Sequence, residues 1–541
     1  MLQQTRSRNA WQAAPYAVLL VGWAVLLPGS WSSLNPDGVV YATLTEALAD
    51  GRWSDAVTGY WSILLPTLAA PLTALGVPAP FALRAVLLLV SVGLVAVIGD
   101  LARRAGATTP AREIAQLLVA PFLVVIALWD VFPDGLLALL LLLFVRALLA
   151  ASTVRGAALA GLWGGLAYLA KPVALPFVLA FLVLVTVVRL WASRRPTTVV
   201  PPSGVVSTAA PLRTAAVTAA VALALAAPWI TLISVQAGHP TITTAASFNA
   251  NYLEPGVEGN PLESPGLRAP TAAAPDTPWQ NPSALAPVRT DEPADEAGDE
   301  AADAAPAESG ERIGQRLGRV AEQAGYVVET LVRKWPVETV LALAGTVLAA
   351  RRPREPGSWV ALGSTAAAGV LAGGMMLLIV TDRYLWFSML ALLVPAAVAL
   401  QALGARRPRA LRVLGAALSA VVALATAFWF LALHQPPDRD RGVWALAERA
   451  CPEGLDAPLA GVDEWGRSNL LAYLCGVPYV GLTGSAEAAR EVAADVSEVG
   501  ARYLVVWDDA PAGLPDSRGD AGVLYELEDG TWRPVSAVSG D

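Results

Sequence analysis

Lysine, histidine and cysteine are almost missing from this 541-residue chain, and charge of either sign is thin. Lys171 and Lys334 are the only lysines in a basic set that is otherwise arginine, His239 and His434 the only imidazoles, and Cys451 and Cys475 the only thiols. Two histidines so far apart are too few for a histidine-built metal centre. No glycine-rich loop of the kind that cradles a nucleotide is present. With 55% hydrophobic and 15% charged residues and a mean hydropathy of +0.52, the chain is too apolar for a soluble protein, and several runs are long enough to cross a bilayer. The net charge of −8 arises largely in one acidic loop and the C-terminal tail, so it points to no nucleic-acid partner.

What is present is a succession of apolar runs separated by arginines. Hydropathy predicts about eleven transmembrane helices: Ala14 to Leu27, Phe81 to Leu101, Ile114 to Trp129, Leu136 to Leu149, Ala157 to Ala170, Val173 to Leu190, Ala215 to Val235, Val337 to Ala350, Trp359 to Val380, Leu385 to Leu400 and Val413 to Leu433. The first follows Arg6 and Arg8 and lacks a small-residue cleavage site, so it reads as a retained anchor. With the N-terminus inside, the clusters Arg103/Arg104/Arg112, Arg155, Arg194/Arg195/Arg213, Arg351/Arg352/Arg354 and Arg406/Arg407/Arg409/Arg412 all fall on the cytoplasmic side. Counting Leu64 to Leu75 as a further span would put Arg103 and Arg104 outside, so that proline-broken run is expected to lie in the interface.

This topology divides residues 1–434, a membrane domain, from 435–541, an extracytoplasmic domain. The external loop 254–312 is Pro, Ala, Asp and Glu with the periodic pairs Asp291-Glu292, Asp295-Glu296 and Asp299-Glu300, a composition expected to stay disordered. It lacks the glycine turn and terminal glutamate of a calcium loop. The tail alternates helix (Trp444 to Ala450, Ser468 to Leu474, Ala486 to Val499) with strand (Leu459 to Val462, Tyr479 to Leu482, Tyr503 to Trp507), a small α/β domain with a short parallel sheet. Its two cysteines are either joined, as an oxidising compartment favours, or two buried thiols; sequence fixes no distance between them.

The polar residues of the external face cluster in short motifs. Asn35-Pro36-Asp37-Gly38-Val39-Val40-Tyr41 follows the first span and leads into an amphipathic helix, Thr43 to Ala49, then Gly51-Arg52-Trp53 and Gly59-Tyr60-Trp61, all within an external loop 30–80. A carboxylate at the lip of a membrane is costly unless it has work to do, although Asp37 or Asn35 could equally serve as a helix N-cap. Asp134, after Phe132-Pro133, opens the fourth span, with Asp130 one turn away. Lys171, Lys334 and the Asp382-Arg383-Tyr384 turn put cations at external helix ends, against the insertion bias, where snorkelling to lipid headgroups competes with binding an anion.

The Pro-Asp pair, the Tyr four residues after the Asp, the short helix, Gly-x-Trp and Gly-Tyr-Trp together resemble the first external loop of the GT-C membrane glycosyltransferases, especially the protein O-mannosyltransferase and lipid-A aminoarabinose transferase branch. Gly161-Leu162 and Gly164-Gly165-Leu166-Ala167 before Lys171-Pro172 resemble that family's glycine-rich fifth helix ending in a lysine, and Pro228-Trp229 matches in kind. The resemblance implies a polytopic helical fold in which Asp37 is the catalytic carboxylate and Asp134 a second acidic residue orienting the acceptor or a metal. It further implies that Arg383 approaches a lipid phosphate, with Tyr41, Tyr60, Lys171, Lys334 and Tyr384 among the substrate-binding residues. The implied partners are a polyprenyl-phosphate sugar donor, membrane lipid and an extracytoplasmic acceptor. Two departures stand out: Asp55 occupies the place of a lysine six residues before the Trp of Gly-Tyr-Trp, and Asp37-Gly38 replaces an Asp-Glu pair.

The expected activity is therefore sugar transfer with inversion, in which a carboxylate takes the proton of an acceptor hydroxyl and cations take up charge on the departing phosphate. No cofactor is required by the sequence, and a divalent metal is possible. A transporter or flippase of lipid-linked saccharide, or a non-catalytic scaffold, is the alternative. A transporter would be expected to show internal repeats and charges at mid-membrane depth, and neither is evident.

Overall fold

The computed structural model describes residues 2–128, 131–194, 209–245, 309–377, 382–405, six positions between 413 and 424, 437–462, 464–483, 489–507, 513–514 and 522–537. Among the described residues, nine helices precede the stretch 246–308: α1 (Leu2–Ser30), α2 (Pro36–Ala49), α3 (Leu64–Ala74), α4 (Ala79–Arg104), α5 (Thr109–Leu128), α6 (Asp134–Ala150), α7 (Val154–Ala170), α8 (Ala174–Arg194) and α9 (Ala209–Ala237). After it come α10 (Ser309–Arg333), α11 (Pro336–Arg351), α12 (Pro356–Met375) and α13 (Trp386–Gly404). Local chemistry marks their ends. Proline opens α2, α4, α11 and α12 at the first or second helical position, where its missing N–H has no intrahelical partner to lose. Past the ends of α2 and α4, Gly51 and Gly106 take φ of 77° and 92°, which ends a helix at little cost only when no Cβ is present.

Each of the first ten expected spans falls on one of these helices, and the eleventh lies mostly outside the described residues, its six described positions being helical. By length and composition, seven of the described helices can cross a membrane: α1, α4, α5, α8, α9, α12 and the segment Asp382–Gly404 that includes α13. The expected spans on α6, α7 and α11 fall short of that length, at 17, 17 and 16 residues, because Ala151-Ser152-Thr153, Pro172 and Pro353 stop them. At about 1.5 Å per residue they reach about 25 Å. Helix α3 has 11 residues, too short to span. The bundle centres on α4, α5, α6 and α13, with α1 against α5, α9 against α7, and α11 and α12 against α13. Glycines permit the closest of these approaches: a Cβ on Gly161 would meet the Thr218 carbonyl of α9 at 2.5 Å, and one on Gly345 of α11 would overlap the Pro395 carbonyl of α13.

At the C-terminus, α14 (Pro437–Ala450), α15 (Trp465–Leu474) and α16 (Ala489–Glu498) pack on a five-stranded sheet of β1 (Leu459–Val462), β2 (Tyr479–Thr483), β3 (Tyr503–Val506), β4 (Val523–Glu528) and β5 (Thr531–Ala537), in the order β2-β1-β3-β4-β5. The parallel part, β2-β1-β3, follows the expected pattern. The sheet is nevertheless mixed: β4 runs antiparallel to β3, and β5 to β4, across an Asp529-Gly530 turn with both residues at positive φ. Cys451 and Cys475 form a disulfide across a Cα separation of 5.5 Å. The chain is thus a polytopic α-helical membrane protein with a small α/β domain at its C-terminus.

Helix α2 differs from the amphipathic helix expected. It begins at Pro36 instead of Thr43, and Gly38, Val39, Val40, Tyr41, Ala42, Leu44, Thr45, Ala47 and Leu48 are all buried, because α3 and α4 cover one side and α15 the other. The Trp444 indole of α14 donates to the Ser32 carbonyl at 2.9 Å and stacks obliquely on Trp31, while the Tyr473 hydroxyl of α15 donates to Glu46 of α2 at 2.5 Å. Helix α10 begins at Ser309, inside the last few residues of the loop expected to be disordered; the rest of that loop up to residue 308 lies outside the described residues.

Candidate active site

Asp37 stands in the first turn of α2, where the unpaired N–H groups and the helix dipole favour a carboxylate. It is not the cap. Asn35 holds the cap position, makes no side-chain capping bond, and turns its Oδ1 to accept the Val131 N–H at 3.0 Å. Asp37 Oδ2 accepts from Arg383 Nη1 at 2.7 Å, although 346 residues separate them. Arg383 sits on a short 3-10 turn, Asp382–Leu385, that leads into α13.

A second ion pair lies beside the first. Asp134, the first residue of α6 after Pro133, is 3% exposed, and its Oδ1 accepts from Lys171 Nζ at 2.6 Å. Lys171 terminates α7 because Pro172 follows, so its side chain leaves the helix end free to reach α6. Tyr384 joins the two pairs: Lys171 Nζ lies 4.1 Å and Arg383 Cζ 5.4 Å from its ring centroid, close enough for cation–π attraction. Phe132 covers Arg383 from another side at 4.0 Å. Beneath Asp37, Tyr41 is 2% exposed, meets Trp61 edge-on at 5.5 Å and bonds to Ser62. Burial, reinforced by Asp37 and Asp134, drives its phenol far above the ordinary tyrosine range, so it stays neutral.

Of the residues singled out from sequence, Asp37, Asp134, Tyr41, Lys171, Arg383 and Tyr384 come together here. Tyr60 packs edge-on against Trp61 at 4.8 Å, the ring that meets Tyr41. Lys334 pairs with Asp382 instead; Tyr326 and Thr330 donate to the same carboxylate at 2.8 Å and 3.3 Å, so the three donors fasten α10 to the turn that carries Arg383. Asp55, at the place where the resembled family has a lysine, forms an exposed pair with Arg52 at 2.8 Å and stays on the surface. Asp130 and His434 lie outside the described residues. Among the described residues no three His, Cys, Asp or Glu side chains converge as metal ligands, and Asp37 and Asp134 each face a cation.

Sequence reasoning missed Arg84 and Phe132. Arg84, 1% exposed in α4, donates to the carbonyls of Leu128, Pro80 and Ser30 at 3.1, 3.3 and 3.2 Å and to that of Ser33. Its signal was available: an arginine near the end of an apolar run that is expected to be external runs against the positive-inside bias, as Lys171 does.

The sequence matches no protein-family profile and no curated protein. The fold does have solved counterparts. The aminoarabinose transferase ArnT from Cupriavidus metallidurans, in its apo state, aligns with a TM-score of 0.55 at 15% identity, covering 93% of this chain and 94% of that one. The same protein bound to undecaprenyl phosphate aligns at 0.52 and 16% identity, with the same coverage. The archaeal oligosaccharyltransferase AglB from Archaeoglobus fulgidus, in complex with an inhibitory peptide and a dolichol-phosphate, aligns at 0.51 and 14% identity, covering 92% of this chain and 69% of that one. With both membrane transferases aligned over nearly the whole of this chain, its fold is that of the GT-C membrane glycosyltransferases.

Proposed function

We propose that this protein is a membrane glycosyltransferase that moves a sugar from a polyprenyl-phosphate donor to an acceptor hydroxyl on the external face of the membrane, with Asp37 as general base. The observation that carries the reading is the convergence of two acid–cation pairs, Asp37–Arg383 and Asp134–Lys171, around Tyr384 at helix ends drawn from α2, α6, α7 and α13. Anion-binding neighbours support it: ArnT was solved with undecaprenyl phosphate and AglB with a dolichol-phosphate.

The chemistry asks for a base and an electrophilic clamp. Arg383 and Lys171 receive the donor phosphate, and Arg383 in turning to it releases the Asp37 carboxylate. Asp37 takes the acceptor O–H proton as that oxygen bonds the anomeric carbon. The bond from that carbon to the phosphate oxygen breaks, and the electron pair leaves on the lipid phosphate between the two cations. Attack opposite the leaving group inverts the anomeric centre. Asp134 Oδ2 is buried with no hydrogen-bond donor among the described residues, and an acceptor hydroxyl that reached it would satisfy it and be oriented by it. The C-terminal domain, residues 435–541, shapes acceptor access and holds no catalytic group.

Asp37→Asn tests the assignment. Loss of a general base costs about 10² to 10⁴ in rate, whereas undecaprenyl phosphate binding, carried by Arg383 and Lys171, should persist. Turnover is read with undecaprenyl-phosphate mannose, glucose and 4-aminoarabinose as donors in membranes that supply the acceptor. An Asp37→Asn protein that is folded and transfers sugar at the unsubstituted rate would move the base to Asp134.

A further inference from the structure

The two carboxylates are delivered by loops far apart in sequence, and their spacing needs a physical cause. One connection, 31–35, runs from α1 into α2 and Asp37; the other leads into α6 and Asp134 and is described from Val131 to Pro133. Two side chains join them. The Arg84 guanidinium, a planar fork with five donors, reaches the Ser30 carbonyl at the end of α1, the Ser33 carbonyl in the first loop and the Leu128 carbonyl at the end of α5. Helix-terminal carbonyls lack intrahelical donors and carry the negative end of the dipole, which suits a buried cation. Asn35 then ties the loops a second time through Val131 N–H. Between the ties, contact is tight: a Cβ on Gly38 would meet Asn35 Oδ1 and Leu34 Cδ1 at 2.7 Å and Val131 Cβ at 3.1 Å.

We propose that Arg84 and Asn35 are positioning residues that set the separation of Asp37 and Asp134, and with it the separation of the cations Arg383 and Lys171 that those carboxylates hold. The role rests on the reading of that cluster as a phosphate site, but the tie itself does not. Four fixed points then hold the second loop, two at its flanks and two within it: Leu128 by Arg84 and Asp134 by Lys171, Val131 by Asn35 and Phe132 against Arg383. A loop held at one point can swing, whereas one held at four presents its carboxylate in a single place.

The alternative role for Asn35 is that of a helix cap, and substitution separates the two. Serine is a good cap but is too short to reach Val131, while aspartate can both cap and accept the Val131 N–H. Undecaprenyl phosphate affinity and backbone hydrogen exchange over residues 129–133 are measured on the full chain in detergent, with unfolding temperature in parallel. Asn35→Ala and Asn35→Ser should each bind about tenfold more weakly, a loss of about 1.4 kcal/mol, and exchange faster at Val131. Asn35→Asp should restore both. Arg84→Lys, with one compact ammonium in place of the fork, should weaken binding as the alanine variant does. Serine behaving like asparagine in both readouts overturns the proposal in favour of capping. Affinity that merely tracks unfolding temperature across the series overturns it in favour of bulk stability. Arg383→Ala is the control for the site: undiminished affinity there, with Val131 exchange still sensitive to Asn35, sinks the phosphate reading and leaves the tie standing.

Discussion

Each residue of the cluster is held by its opposite. Asp134 is almost fully buried and accepts from Lys171 Nζ at 2.6 Å, so removing the lysine takes a hydrogen-bonded cation from a carboxylate shielded from water. Losing one partner of a buried pair costs about 3–5 kcal/mol, whereas replacing both is far milder. Lys171→Met should therefore lower the unfolding temperature sharply, and Lys171→Met with Asp134→Leu should recover most of the loss while leaving transfer abolished. A double variant as unstable as the single one would mean the lysine acts through something other than Asp134. The residue types of this cluster were readable in advance, since an acid or a cation at the lip of a membrane is conspicuous against so apolar a chain. Their pairing was not. Nothing in the order of residues links Asp37 to Arg383, and Lys334, equally conspicuous, went to Asp382 to fasten α10.

Among the elements, α2 shows how a site helix is stabilised by its coverings. It carries Asp37 at one end and Glu46 near the other, and the C-terminal domain sits on it through Tyr473. Burial raises the Glu46 carboxyl above the ordinary range, partly offset by the Tyr473 hydrogen bond, and the folded chain therefore binds that proton more tightly than the unfolded chain. The stability this group contributes is present at low pH and is lost as pH rises from the ordinary glutamate range through the raised value. Tyr473→Phe removes the donor and should cost about 1–3 kcal/mol; Glu46→Gln should flatten the pH dependence of unfolding across that window. Equal pH slopes with and without Glu46 would contradict this account. The strands of the C-terminal domain were read from sequence as far as β3, while β4 and β5 were passed over, although Asp529-Gly530 between two apolar-alternating runs is a strong hairpin signal.

For the whole molecule, the orientation proposed with the function can be checked independently of any chemistry. Reporter fusions after Arg104, Arg195 and Arg354 are expected to read cytoplasmic, and fusions after Gly259 and at the C-terminus external. A disulfide between Cys451 and Cys475 belongs with an oxidising compartment, so thiol-reactive reagents should label neither cysteine until a reductant is added. A cytoplasmic C-terminal tail would remove the external site with it. The division of labour between residues 1–434 and 435–541 makes a linked expectation. A chain ending at residue 434 exposes the face of α2 that α15 covers, so it should retain undecaprenyl phosphate binding but lose thermal stability.

By itself the sequence determined that this is a membrane protein, where ten of its helices lie and which rare polar residues are conspicuous at helix ends, because hydropathy and the placement of arginine are properties of composition along the chain and need no partner. Only the tertiary structure decided that α2 is buried on most sides, that the sheet is mixed, that Asp37 meets Arg383 while Asp134 meets Lys171, and that Arg84 and Asn35 bind two loops into one. Those outcomes depend on which helix ends the bundle brings within hydrogen-bonding distance, and the two acid–cation pairs of the site join residues 37 and 346 positions apart.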